Sequence, residues 1–253
     1  LMNIGPKGDG EFDSRDQRIL DSIGVWMGKN SQSIYKTTKT PLPFQSWGVS
    51  TQKGRRLYLQ VFNWPKNGKL VIGGLKSGIN KAYLLTDVSK KALTVNRIDP
   101  LDMQVSVPLK APDAVSSVIV LETNGNIKTS PVRVLDAHSY TNRLLAFDSD
   151  MTPGEFHFGD GKAGKYYIDR WNKKDQQVKW QFRLLSPATY TVRLKYTADT
   201  GNAGTYQLTL GNFKKTGTIE SIARSEKVMT QELGQVSLKP GNHKLNITPL
   251  DIQ

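Results

Sequence analysis

The chain contains no cysteine, so neither a disulfide framework nor a thiolate metal site can be built from it. It has no apolar run near the ~18 residues a membrane-spanning helix requires, and membrane insertion is not expected. Histidine is scarce. His138, His157 and His243 stand far apart, with no i,i+4 pair, which gives zinc little to bind. No nucleophilic Ser/His/Asp order stands out, and no internal repeat relates the two halves. The remainder, 37% hydrophobic and 23% charged residues in a chain of 253, is the composition of a folded protein large enough for two cores.

Positive charge is plentiful. Thirty-five Lys+Arg stand against 22 Asp+Glu, a formal net charge of +13. Up to Ala137 there are 19 basic and 11 acidic residues, and from His138 onward 16 and 11. The excess is thus spread over both halves, without a basic tail or a basic helix interleaved with aromatics, so nucleic acid is not the expected partner. A solvated surface explains most of it. A broad positive field would also raise encounter rates with an anionic or sulfated glycan.

Two periodicities divide the chain. After the Gly-rich turn Gly5–Gly10, Ser14 with Gln17 forms a capping box, and Ile19, Leu20, Ile23, Trp26 and Met27 share one helical face. Asn30 offers a left-handed stop. The turn fits neither G-x-G-x-x-G nor a P-loop, and Glu11 and Asp13 would repel a phosphate. Beyond Pro41 and Pro43 the period becomes two. Residues 56–64 alternate Leu57, Leu59 and Val61 against Tyr58, Gln60 and Phe62, and Asn67-Gly68 predicts a hairpin back through Leu70-Val71-Ile72. Short β runs follow at 82–85, 93–98, 103–107 and 118–121. In the second half the clearest strands are 177–184 and 189–196. Gly211-Asn212 predicts a hairpin after 206–210, and Pro240-Gly241-Asn242 predicts another joining 236–238 to 244–248. The expected fold is all-β: two tandem antiparallel β-sandwich, jelly-roll-like modules preceded by a terminal βα fragment with one amphipathic helix.

The ordered series Leu1-Met-Asn-Ile-Gly-Pro-Lys-Gly-Asp-Gly10, Leu20-Asp-Ser-Ile-Gly-Val-Trp-Met-Gly-Lys-Asn30 and Ser33-Ile-Tyr-Lys-Thr37 closely resembles the end of the catalytic barrel in α-L-fucosidases of glycoside hydrolase family 29. The resemblance implies three segments. Residues 1–40 would be the last strand and helix of a truncated (β/α)8-like barrel, 41–137 a fucosidase C-terminal-type β-sandwich, and 138–253 a carbohydrate-binding-module-like β-sandwich. It further implies that the catalytic Asp and Glu, on barrel elements upstream, are not in this chain, so that the chain alone is inactive. Periplasmic or secreted localisation is what the family implies. A stand-alone glycan-binding protein and a protein-interaction module are the alternatives.

Sugar sites stack pyranose faces on Trp or Tyr beside polar groups that bond hydroxyls. Tyr166, Tyr167, Asp169, Arg170, Trp171 and Asn172 bring three aromatics beside such groups and are the candidate carbohydrate-binding residues; packing of Trp171 into a core is the competing reading. Trp180 is expected in the core, and Trp47 and Trp64 are expected to be packing residues, with the helix carrying Trp26 as one candidate neighbour. No cofactor is implied. Asp148-Ser149-Asp150 resembles the opening of a calcium loop, but Pro153 and Gly154 break the EF-hand pattern, leaving structural Ca2+ as a minor alternative. Fucosylated or other glycans are the expected partners. The helix is expected to repack on the first sandwich, giving a monomer.

Overall fold

The computed structural model describes residues 5–135, 137, 141–152, 156–159, 167–198, 200–221 and 228–252. It divides into two compact units, Leu1–Pro131 and Val132–Gln253. The fold is all-β with one helix ahead of the strands. The segment Leu1–Ile4, read as a strand, lies outside the described residues.

The first unit opens with α1 (Ser14–Asn30). Its N-cap is Asp13 and not Ser14, which is already helical. The Asp13 carboxylate accepts from the Arg15 N–H at 2.7 Å and satisfies one donor that a helix start leaves bare. Asn30 does not adopt the left-handed conformation expected of it. Its buried amide donates to the Trp26 carbonyl at 3.0 Å, and the chain tightens into a 3-10 turn, Ser31–Ser33.

Eight strands follow: β1 (Thr38–Lys39), β2 (Gly48–Lys53), β3 (Arg56–Val61), β4 (Lys69–Ile72), β5 (Ile79–Leu84), β6 (Val95–Asp99), β7 (Asp102–Ser106) and β8 (Ser117–Thr123). They form a five-stranded sheet, β1-β2-β3-β8-β5, and a three-stranded sheet, β4-β7-β6. Leu57, Leu59 and Val61 of the first meet Leu70, Ile72 and Val105 of the second in one core.

The Asn67-Gly68 turn forms as its residues demand. Gly68, at φ 69°, donates to the Pro65 carbonyl at 3.1 Å, and the Lys69 N–H reaches Asn67 Oδ1 at 3.0 Å. Yet β3 and β4 belong to different sheets, so this turn is a sandwich corner and not the predicted hairpin. The apolar faces of the two strands gain more by opposing each other across a core than by lying side by side.

Strand β3 is buried on both faces. Tyr58 and Gln60 point away from the core, but are only 0% and 3% exposed. The end of α1 covers them. Trp26 packs on Tyr58, Tyr83, Val118 and Val120 and donates its indole N–H to the Ser116 carbonyl at 2.8 Å. The Ser33 carbonyl accepts from Gln60 Nε2 at 3.2 Å and from Thr51 Oγ1 at 2.6 Å. Trp47 and Trp64 are packing residues as expected, though not against the helix. They pack on the sandwich interior and donate to the carbonyls of Val71 and Pro108, because the core and the helix contact lie on opposite faces of β3. Only one end of the helix is docked: Ile19 and Ile23 remain 48% and 38% exposed.

The second unit contains β9 (Arg133–Val134), β10 (Asp150–Thr152), β11 (His157–Phe158), β12 (Ile168–Asp169), β13 (Gln177–Leu184) and β14 (Ala188–Tyr196). After them come β15 (Gly204–Leu210), β16 (Phe213–Ile219), β17 (Met229–Leu238) and β18 (Gly241–Ile252). The main sheet runs β10-β13-β18-β15-β16, with β9 also on β13; β14 pairs with β17, and β11 with β12. Gly211-Asn212 closes the expected two-residue hairpin, with Leu210 opposite Phe213. The predicted terminal hairpin does not form. Strand β17 pairs with β14, while β18 inserts between β13 and β15, so the two strands lay their apolar residues on one core from different sheets.

Val178, Trp180, Phe182 and Leu184 all face this core as their alternation predicts, and the Trp180 indole donates to the Leu145 carbonyl at 2.9 Å. Tyr206 of β15 reaches the other sheet, its hydroxyl donating to Gln231 Oε1 at 2.6 Å. Burial pushes that phenol up to about 12. The ring lies over Gly217, where a Cβ would stand 2.3 Å from it. Buried Arg133 donates to the Arg143 carbonyl and to Asp148 Oδ2, so the guanidinium entering the unit at β9 is neutralised on the spot.

Candidate functional site

Residues 167–172 carry the described part of the sequence-predicted site. The two-residue pairing of β11 with β12 sets His157 opposite Asp169 and Phe158 opposite Ile168. His157 Nδ1 stands 3.1 Å from both carboxylate oxygens of Asp169, with the hydrogen bond directed at Oδ2. Past β12 the chain turns at Arg170, whose φ is 61°, in the left-handed region that side chains seldom adopt.

One buried side chain holds that turn. Gln176 has no exposed surface; its Oε1 accepts from the backbone N–H groups of Asn172 at 2.8 Å and Lys173 at 2.9 Å, and its Nε2 donates to the Arg170 carbonyl at 3.1 Å. The amide thus matches the backbone groups the irregular loop leaves bare. Nothing in the sequence pattern singled Gln176 out, since a lone glutamine ahead of a strand reads as surface.

The five described candidates do not share one face. Trp171 turns inward to the second core, edge-on to Phe156 with ring centroids 5.9 Å apart, and is half-buried. Its indole N–H is buried and finds no acceptor among the described residues. Tyr167, Arg170 and Asn172 face solvent, and Asp169 lies between, tied to His157. Tyr166 lies outside the described residues. The exposed members therefore offer one aromatic ring, one guanidinium and one carboxamide, a set able to stack on an apolar face and bond hydroxyls.

Among the described residues no cluster of three or more metal-ligating side chains occurs. The Asp148 carboxylate, first residue of the calcium-like sequence, is engaged by Arg133. A second concave surface, a groove of about 540 Å³ in the first unit lined by Arg55, Lys76 and Lys128, went unread in the sequence because its residues come from three separate segments.

No family model matches the chain. Among curated proteins it is 33% identical over 85 residues to human plasma alpha-L-fucosidase, a match covering 30% of this chain and 18% of that protein. It is 36% identical over 76 residues to the alpha-L-fucosidase of Branchiostoma floridae, covering 29% and 17%. The match is to the C-terminal part of these proteins, and the chain spans less than a fifth of their length. Among solved structures, alpha-L-fucosidase from Vibrio sp. strain EJY3 superposes on 98% of this chain and 43% of its own, with TM-score 0.65 and 20% identity, a likeness of fold.

Proposed function

We propose that this chain is the C-terminal, non-catalytic region of an α-L-fucosidase, which braces a catalytic barrel and holds fucosylated glycan. The observation that carries the reading is the 33–36% identity to curated fucosidases confined to their C-terminal part. The exposed apolar side of α1 supports it. Ile19 and Ile23, one turn apart on the same face, are 48% and 38% exposed, an apolar strip that a neighbouring barrel element would cover.

A retaining glycosidase needs two carboxyl groups about 5–5.5 Å apart across the scissile bond, carried on a barrel of ~250 residues. In this reading that pair lies upstream, and the role left to the present residues is binding. Tyr167 stacks on the apolar face of a sugar ring, while Arg170, Asn172 and Asp169 bond its hydroxyls. Trp171 supports the loop from inside, and Tyr166 directly precedes Tyr167 in the sequence. Secretion or periplasmic residence follows from the same reading.

Two assays test it. The chain alone should release no fucose from an aryl α-L-fucoside, whereas the chain joined to its upstream barrel should. On a glycan array, fucosylated structures should bind, and Tyr167→Ala or Arg170→Ala should abolish binding without altering the circular dichroism. Fucose release by the chain alone would refute the non-catalytic role, and a blank array for folded wild type would refute the glycan role.

A further inference from the structure

The groove in the first unit is built of three segments. Arg55 lies between β2 and β3, Lys76–Gly78 precedes β5, and Asn124–Lys128 follows β8. Its floor is rigid. The Asn124 N–H donates to the Gly78 carbonyl at 3.1 Å, the Lys76 N–H to the Lys128 carbonyl at 2.9 Å, and the Lys128 N–H to Ser77 Oγ at 2.7 Å. Ser77 Oγ in turn donates to the Asn126 carbonyl at 3.0 Å. From behind, Arg97 donates to the carbonyls of Leu75, Lys76 and Ser77. The Asn124 amide sits over Gly78, where a Cβ would stand 2.4 Å from its nitrogen, so the glycine makes room for that carboxamide.

The charge on this frame is one-sided. Arg55, Lys76 and Lys128 are exposed, no carboxylate lines the groove, and none of the three forms an ion pair among the described residues. Arg56, the next residue along, is by contrast paired with Glu122 at 2.9 Å. Asn124 and Asn126 add carboxamide donors between the cations. Three cations without an ion pair among the described residues, around an amide-lined concavity, are complementary to an oxyanion on a polar, hydroxyl-bearing ligand.

We propose that this groove binds the anionic substituent of an acidic glycan, a sulfate ester or a uronate carboxylate. The choice of a glycan rests on the fucosidase-region reading above; the anion follows from the groove itself. The site lies in the first unit, separate in sequence from the loop at 167–176, so each can fail alone.

The test is calorimetric titration of the full chain with a dextran-sulfate oligosaccharide, an oligogalacturonate, a neutral fucosylated oligosaccharide and an oligothymidylate. One or both acidic oligosaccharides should bind, and which one binds identifies the anion. Arg55→Gln, Lys76→Gln and Lys128→Gln should each weaken that binding about two- to fivefold, and the triple variant on the order of tenfold or more. Circular dichroism should stay unchanged, and added salt should weaken wild type more than the triple variant. Equal loss in a control with Lys91, Lys110 and Lys214 changed to Gln would overturn the proposal in favour of diffuse charge. So would failure of both acidic oligosaccharides, or tighter binding of oligothymidylate through the same three cations. The neutral fucosylated oligosaccharide separates the two proposals. Its failure beside intact acidic-glycan binding counts against the fucose reading alone, and its binding beside acidic failure counts against the groove alone.

Discussion

The two units solve the same packing problem to different depths. In the first, the five-stranded sheet is covered on one face by a second sheet and on the other by α1, so strand β3 loses nearly all its surface; Leu57, Tyr58 and Leu59 are each 0% exposed. In the second, β14 and β17 cover the main sheet, and the inward residues of β14, Tyr190, Val192 and Leu194, stay half-buried. The first unit is stabilised by a third layer. The second relies on aromatic bulk, with Trp180, Phe182 and Tyr206 filling its core and the hydrogen bond from Tyr206 to Gln231 joining its sheets.

The largest effect should come from the deepest layer. Leu59→Ala should cost about 3–5 kcal/mol, against about 1–2 for Val192→Ala on the half-covered strand. Urea unfolding followed through amide signals of β3 and β14 would show it, and equal losses would break the contrast. Trp26→Ala should come next, at about 2–3 kcal/mol. It removes the indole from the Tyr58–Tyr83 layer and leaves the Ser116 carbonyl without its donor. Helical circular dichroism and amide exchange over 14–30 would report undocking, while amides of β13 should keep their protection.

Gln176→Leu should cost less, about 1–2 kcal/mol, because water can reach part of the turn it clamps. The signature is local: faster exchange at Asn172 and Lys173, with glycan binding weakened if that turn presents the sugar contacts. The smallest effect is electrostatic. The N–H groups of Ser116 and Val115 hold the Asp113 carboxyl below its ordinary value of 3.8. A depressed acid stabilises the fold above its unfolded value, and that contribution fades as pH falls through the folded one. Docking of α1 on the 113–117 turn should therefore loosen slightly below about pH 4, and Asp113→Asn should flatten this part of the pH profile.

Local patterns in the sequence carried much of this. Alternation alone marked Val178, Trp180, Phe182 and Leu184 as one buried face, because a strand fixes side-chain direction at period two. The turn residues Asn67-Gly68 and Gly211-Asn212 were equally legible, since their backbone needs are intrinsic. Which strands those turns joined was not. Gly211-Asn212 closes a hairpin and Asn67-Gly68 crosses to another sheet, a difference set by which apolar faces meet.

The candidate site divides in the same manner. Its aromatic-rich composition was visible in residues 166–172, yet only the fold turned Trp171 inward and left Tyr167 and Arg170 outside, through a buried glutamine four residues beyond Asn172. The groove shows the limit most plainly. Arg55, Lys76 and Lys128 are ordinary surface cations along the chain, and it is strand pairing that gathers them on one rim. By itself the sequence determined the helix, the longer strands with their alternating faces and the tight turns, all set by neighbours a few residues away. Tertiary structure alone decided the sheet partners, the double burial of β3 and the membership of both candidate sites, because those depend on contacts between segments that chain order does not encode.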